Sequence, residues 1–321
     1  MALLGGIPGL TALALGVALS GCATNREEVS TQPEYEVLEV WGEIGDASGK
    51  SRSLQGIAIS ESGEVFVADA GGCRIEVYSG AGVPQRQWGR CGDQPGELGR
   101  PVDVALGPDG EVYVADFLLD RITVFDRQGK LLRHWGRAGD GPGEFNSPAG
   151  IAIDAEGSVY VTEFYGHRLQ KLTAEGDPLD LWGEDGHESG QFHYPSKVRV
   201  APDGTIYVAD AHNHRIQRFD ADGAPLGAWG TSGTWTGQLQ DPVDVAVDSE
   251  GRMHVADSAN RRVQLLDRNG SFVAEWRVPD AGEDGVQTPQ GVALGPDGSL
   301  YVSDNAAGRI YKLMPPKGSK S

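Results

Sequence analysis

Residues 101–135 read PVDVALGPDGEVYVADFLLDRITVFDRQGKLLRHW. An apolar run, Asp103-Val104-Ala105-Leu106, meets the turn Gly107-Pro108-Asp109-Gly110. A second run, Val112-Tyr113-Val114-Ala115, ends in Asp116. Four residues separate Asp116 from Arg121, where Ile122-Thr123-Val124-Phe125 begins; the turn Asp126-Arg127-Gln128-Gly129 follows, and a last run carries Trp135. Short β-branched and aromatic runs between Gly-terminated turns at this spacing describe four antiparallel strands. A glycine closing each turn supplies the left-handed backbone that a tight hairpin needs.

The same text recurs along the chain. Trp41, Trp88, Trp135, Trp182, Trp229 and Trp276 stand 47 residues apart, without insertion or deletion. The opening runs keep that period: Gly56-Ile57-Ala58-Ile59, Gly150-Ile151-Ala152-Ile153, Lys197-Val198-Arg199-Val200, Asp244-Val245-Ala246-Val247 and Gly291-Val292-Ala293-Leu294. So do the acidic residues Asp69, Asp116, Glu163, Asp210, Asp257 and Asp304, and the arginines Arg74, Arg121, Arg168, Arg215, Arg262 and Arg309. A fixed period in the forties marks a repeat architecture. One such unit cannot bury a core alone, so the units stack, and four-stranded sheets arranged radially are the blades of a β-propeller. The reading is all-β: a six-bladed propeller over residues 35–314. The sixth unit stops near Leu313, after its third strand, and Glu36-Val37-Leu38-Glu39-Val40-Trp41 supplies the missing fourth. That pairing removes an open sheet edge and ties the ends of the ring together.

The pattern Pro-x-Gly-Ile-Ala-Val, then Val-Tyr-Val-Ala-Asp, four residues and Arg-Ile, closely resembles the NHL repeat; Ala209-Asp210-Ala211-His212-Asn213-His214-Arg215-Ile216 is a near-consensus copy. The resemblance covers roughly residues 35–314 and implies six blades. The functions in that family are diverse, so the fold alone assigns none.

The chain has 27 Lys+Arg against 46 Asp+Glu, a net charge of −19. Nucleic-acid binding needs a basic face, and this composition does not provide one. Residues 1–21 hold no charged side chain and an apolar stretch from Leu10 to Leu19, followed by Leu19-Ser20-Gly21-Cys22. That tetrapeptide resembles a bacterial lipobox, although a basic n-region is missing. The resemblance implies a signal peptide over 1–21, a lipidated Cys22 opening a polar tether over 22–34, and a propeller anchored to the cell envelope. Ala23 points to the outer membrane if the cell is Gram-negative. Residues 315–321 form a tail, and a monomer is expected. Cys73 and Cys91 remain, on loops that antiparallel connectivity places on one face; a disulfide between them is expected in an oxidising compartment, with two buried thiols as the alternative.

A residue that obeys the repeat in every blade is read as structural; the departures carry the functional information. The acidic/Arg pairs are therefore read as loop supports. In blade four, Lys197 and Arg199 share one strand face that lines the central channel. They form either an anion site or ion pairs with Asp103 and Asp244, which stand in the Lys197 column. His167, His187, His193, His212 and His214 fall in loops of blades three and four. With Glu163 they make weak metal candidates (Glu163, His167, His193, His214), because no tight ligand spacing is present. Phe117-Leu118-Leu119, Phe164-Tyr165 and Trp235 add apolar side chains to loops on the same face. With His167, His212 and His214 they form the candidate binding surface.

Two functions compete. In the first the protein is a binding or scaffold module for a protein, peptide or glycan ligand, with no catalytic residue and no cofactor. In the second it is a propeller enzyme resembling amidating lyases or lactonases, with zinc or calcium. The post-proline positions Val102, Ala149, Ser196, Val243 and Gln290 hold no histidine, unlike the amidating lyases, and Lys197 stands between the acids that a lactonase-type ion would use. The binding module is the favoured reading.

Overall fold

The computed structural model describes residues 34–45, 49–277 and 286–316. The leader, Cys22, the tether up to residue 33 and the tail from residue 317 lie outside the described residues. Within them, six four-stranded antiparallel sheets form. Blade one comprises Leu54–Ile59, Val65–Asp69, Arg74–Tyr78 and Pro84–Trp88, and blade two Pro101–Leu106, Val112–Asp116, Arg121–Phe125 and Leu131–Trp135. Blade three comprises Pro148–Ile153, Val159–Glu163, Arg168–Leu172 and Pro178–Trp182. Blade four comprises Pro195–Val200, Ile206–Asp210, Arg215–Phe219 and Pro225–Trp229. Blade five comprises Pro242–Val247, Met253–Asp257, Arg262–Leu266 and Phe272–Trp276. In blade six Pro289–Leu294, Leu300–Asp304 and Arg309–Met314 are completed by Glu36–Trp41, antiparallel to Arg309–Met314 with Glu36 opposite Met314 and Trp41 opposite Ile310. The N-terminal strand thus closes the ring.

The core is divided among the blade interfaces. Phe66, Ile75 and Val77 of blade one meet Val104, Val112 and Phe125 of blade two; Leu54, Val65 and Tyr78 of blade one meet Tyr301 and Ile310 of blade six. The periodic tryptophan serves the same end. The indole of Trp88 lies against Gly129 in the outer hairpin of the next blade, and that of Trp182 against Gly223. A Cβ at either glycine would meet the ring at 2.5 or 2.2 Å, and both have positive φ, 83° and 80°. A larger residue there would strain its own backbone and push the indole out.

Each inner strand carries a bulge near its start, just after the opening proline in blades two to six, for example between Pro101 and Asp103 and between Pro242 and Asp244, and after Leu54 in blade one. A bulge re-aims the next side chain, here into the channel. The linkers between blades are built as well. Leu98, Phe145, Phe192 and Leu239 are buried, and each pairs in a short parallel bridge with a residue seven earlier: Cys91, Ala138, Asp185 and Ser232. Cys73 and Cys91 form a disulfide with Cα atoms 5.0 Å apart, tying blade one to the linker that leaves it.

Candidate functional site

The acidic residue closing each second strand holds the incoming linker. Asp116 accepts the amides of Gly99 and Arg100 at 2.7 and 2.9 Å, and Asp210 accepts the amide of His193 at 2.8 Å. The arginine completes the support from the other side: Arg215 Nε donates to Asp210 at 2.7 Å while its terminal nitrogens donate to the carbonyls of His187, Glu188 and Gln191. Arg262 repeats this with Asp257 at 2.6 Å and the carbonyls of Thr234, Trp235 and Gln238. Arg121 reaches the carbonyls of Asp93 and Glu97 in the same way. These pairs build loops.

The channel departs from the repeat. Arg199 donates to Asp103 at 2.8 and 3.2 Å and to Asp244 at 2.8 Å. Lys197 Nζ lies 3.8 Å from each of the same carboxylates and donates to the Gln290 carbonyl at 2.7 Å. Asp103 also accepts the Ile151 amide and Asp244 the Val292 amide. Asp103 and Asp244 are wholly buried and Lys197 nearly so. Room for this tetrad comes from glycine in the same column: a Cβ at Gly56 would meet Asp103 Oδ1 at 2.1 Å, and one at Gly150 would meet Lys197 Cα at 2.5 Å. Burial draws the Lys197 ammonium down from its ordinary value against the pull of Asp103 and Asp244. Burial pushes the Asp244 carboxyl up against Arg199 and Lys197. Burial opposes the charge on Arg199 too, but the two carboxylates outweigh it and raise its pKa. Two cations and two anions cancel, and the cations are occupied by partners inside the protein. The ion-pair reading of Lys197 and Arg199 describes the geometry. Below the tetrad an aliphatic cavity of about 310 Å³ is lined by Ile57, Val104, Ile151, Val200, Val247 and Val292, with Arg199 at its edge.

The face carrying the linkers and the second-to-third-strand loops differs. Phe164 lies at its centre, with ring centroids 5.1 Å from Tyr165, 4.9 Å from Tyr194, 5.9 Å from Phe117 and 6.0 Å from His212. Tyr194 contacts His212 and His193 at 4.7 Å each, and the Arg100 guanidinium covers Phe117 at 4.9 Å. Tyr165 is 53% exposed and Leu118 65%. Leu119 turns inward against Gly99. Trp235 stands apart on the next linker, 79% exposed. Five of the expected surface residues, Phe117, Phe164, Tyr165, His167 and His212, thus come together.

The metal candidates divide. Glu163 is buried, accepting from Arg168 at 2.6 Å, Gln170 at 2.7 Å and the Asn146 amide at 2.7 Å; burial raises its pKa against the pull of Arg168. Its oxygens are engaged within the blade, and it lies outside the group that His167 and His193 form with Asp185. His214 accepts the Asp241 amide at 3.2 Å, a blade away from the other candidates. Asp120 does the same for Ser147 at 2.7 Å, so this position supports the linker in successive blades. His167 and His193 do come together, with rings stacked 5.6 Å apart, and Asp185 joins them. Asp185 and Tyr194 were missed from the sequence: each sits in a linker column that varies freely, Asp185 beside Cys91, Ala138 and Ser232, and Tyr194 beside Arg100, Ser147 and Asp241. Tyr194 carried a signal, an aromatic residue directly after His193 in a column otherwise of polar residues; Asp185 carried none.

Known proteins agree with this architecture. Residues 192–219 match the NHL repeat and residues 100–179 match a 6-bladed beta-propeller family. With the 47-residue period and the closed ring, the chain is a six-bladed β-propeller that carries an NHL repeat. Among curated proteins none matches it. A solved protein of unknown function from Bacteroides thetaiotaomicron is similar at 16% identity and a TM-score of 0.68, over 88% of this chain and 76% of that one. A gluconolactonase from Xanthomonas campestris is similar at 15% identity and 0.64, over 89% and 96%. Virginiamycin B lyase from Staphylococcus aureus is similar at 15% identity and 0.60, over 88% and 99%. At such identities the likeness is one of fold.

Proposed function

We propose that this propeller is an exported binding module, attached to a membrane through a lipidated Cys22, that holds a protein, peptide or glycan ligand on the loop face of blades two to four. The observation that carries the reading is the contiguous ring group Phe117, Phe164, Tyr165, Tyr194 and His212. Aromatic side chains offer large contact area with little loss of rotamer freedom and stack on sugar faces or on apolar peptide side chains. The Cys73–Cys91 disulfide supports export, since such bonds persist in oxidising compartments. The metal-dependent enzyme is the weaker reading, because Asp103 and Asp244, the channel acids that a lactonase-type ion would need, are held by Arg199 and Lys197.

The test titrates the purified chain with soluble cell-envelope glycan fragments and, separately, with peptide pools, following tryptophan emission. Saturable binding by one class, lost in Phe164→Ala/Tyr165→Ala, is expected. Full binding by that double variant would contradict the assignment.

A further inference from the structure

The geometry points to a divalent transition-metal site at the rim of the aromatic group, formed by His167, Asp185 and His193. It does not depend on the binding role proposed above. One ligand atom from each of the three lies within 4.8 Å of the others. His193 Nδ1 is 2.8 Å from Asp185 Oδ1, and His167 Nδ1 is 3.5 Å from the same oxygen. Ligands of a tetrahedral ion at about 2.0–2.2 Å stand roughly 3.3–3.5 Å apart, so the two distances to Asp185 need only small side-chain adjustments to bracket an ion. Two imidazoles and a carboxylate suit zinc or its neighbours rather than calcium or magnesium, which take oxygen donors.

The three residues sit on backbone that is already fixed. The His193 amide is bound by Asp210, which Arg215 holds in turn. Asp185 bridges to buried Phe192. His167 adopts a left-handed backbone with φ 52° at the end of its loop. A site on supported elements loses less entropy on taking an ion than one on free loops. His193 donates Nδ1–H to Asp185, and that contact holds the Asp185 carboxyl below its ordinary value. Coordination at His193 Nδ1 uses the tautomer of the neutral ring that carries its proton on Nε2, so the proton moves from Nδ1 to Nε2 and the ion takes its place facing Asp185. At His167 the ion exchanges for the hydrogen bond that Nδ1 accepts from the Tyr194 amide.

A fourth imidazole is oriented nearby. Asn213 donates its amide nitrogen to the Gly186 carbonyl and to Asp210, which fixes its oxygen toward His187. His187 Nδ1 lies 2.5 Å from that oxygen and must be the donor, so in the neutral ring Nε2 is the nitrogen that keeps a lone pair. The His187 ring is 5.5 Å from that of His193. Asp185 is 62% exposed at its side chain, so at least one coordination position faces solvent.

The experiment is zinc titration of the full chain, free of any histidine tag, by calorimetry, with visible absorption of the cobalt form. One ion per chain is expected, with cobalt bands of a four- or five-coordinate nitrogen and oxygen site. Asp185→Asn and His193→Ala should each weaken zinc at least about tenfold. His214→Ala, the matching position one blade on, should not. Melting curves without metal establish that each variant is folded; if His193→Ala is not, Asp185→Asn and His167→Asn decide. Absence of stoichiometric zinc in the parent chain, or parent-like affinity in the folded variants, would overturn the site.

Discussion

The channel and the loop face of blades three and four both break the repeat with charged or titratable side chains, and they break it in opposite ways. In the channel Lys197, Asp103 and Asp244 are buried and Arg199 is mostly so, and the four are bonded to one another and to the amides of Ile151 and Val292. On the loop face Tyr165, His187, His212 and Asp185 remain open to solvent, and the rings touch mainly other rings. A departure that is internally satisfied fixes the structure. A departure whose groups still have free faces is available to something outside it. The distinction rests on partners rather than on residue type, which is why arginine in the channel is read as architecture and tyrosine on the rim as recognition.

Closure of the ring underlies both regions, and breaking it has the largest expected effect. Deleting residues 35–42 removes the outer strand of blade six, Trp41 with its contacts to Tyr78 and Tyr301, and the bond from the Tyr35 hydroxyl to His254. Loss of cooperative folding throughout the ring is expected by circular dichroism and calorimetry. A truncated protein that melts like the parent would mean the blades do not depend on closure.

Next comes the tetrad. Arg199→Ala leaves Asp103 and Asp244 close together with only Lys197 to balance them; breaking a buried pair this way costs about 3–5 kcal/mol. Lys197→Met with Asp244→Asn removes one charge of each sign and should cost less than Arg199→Ala alone. Equilibrium denaturation measures both. A smaller loss from Arg199→Ala than from the neutral double change would show that the tetrad is not held by charge balance.

A smaller effect separates buried from open histidines. His254 is fully buried in the column of Tyr113 and Tyr160, with Tyr35, Asp248 and Arg252 around it. Burial lowers its pKa, against the pull of Asp248. The unfolded chain therefore binds the proton first. The contribution of His254 is complete above about pH 6.5, the unfolded value, and falls as pH drops below it, by at most about 1.4 kcal/mol per pH unit. His254→Tyr should flatten the dependence of stability between pH 7 and 5. An unchanged slope would assign it to other groups.

Sequence and structure agree most closely where a feature recurs. Period, blade count, strand order and the closing strand Glu36–Trp41 were all readable because five of the six periodic tryptophans, Trp41 to Trp229, have the same task against the glycine of the next blade. The linker fold was not: Leu98, Phe145, Phe192 and Leu239 keep the period, yet single apolar residues among glycines and acids carry no strand or helix pattern. The site was legible in part. Phe117, Phe164 and Tyr165 declared themselves as apolar residues in polar loops. Asp185 and Tyr194 come to lie beside His167 only because the loop of blade three abuts the linker into blade four, a proximity across 18 and 27 residues that no local pattern encodes. Glu163 belongs to the acidic column read as loop supports, and Arg168 and Gln170 engage its oxygens as that reading expects.

The smallest change in stability is expected on the loop face itself. Tyr165→Ala/Tyr194→Ala removes rings whose contacts are largely with one another, and should cost about 1 kcal/mol or less. The most direct test of the account is denaturation of this double variant beside Arg199→Ala under one set of conditions. A loss of several kcal/mol for Arg199→Ala with near-parent stability for the tyrosine variant is the predicted result. Equal losses, or a larger one from the tyrosines, would mean that the aromatic face is part of the ring's support and would contradict the division drawn here.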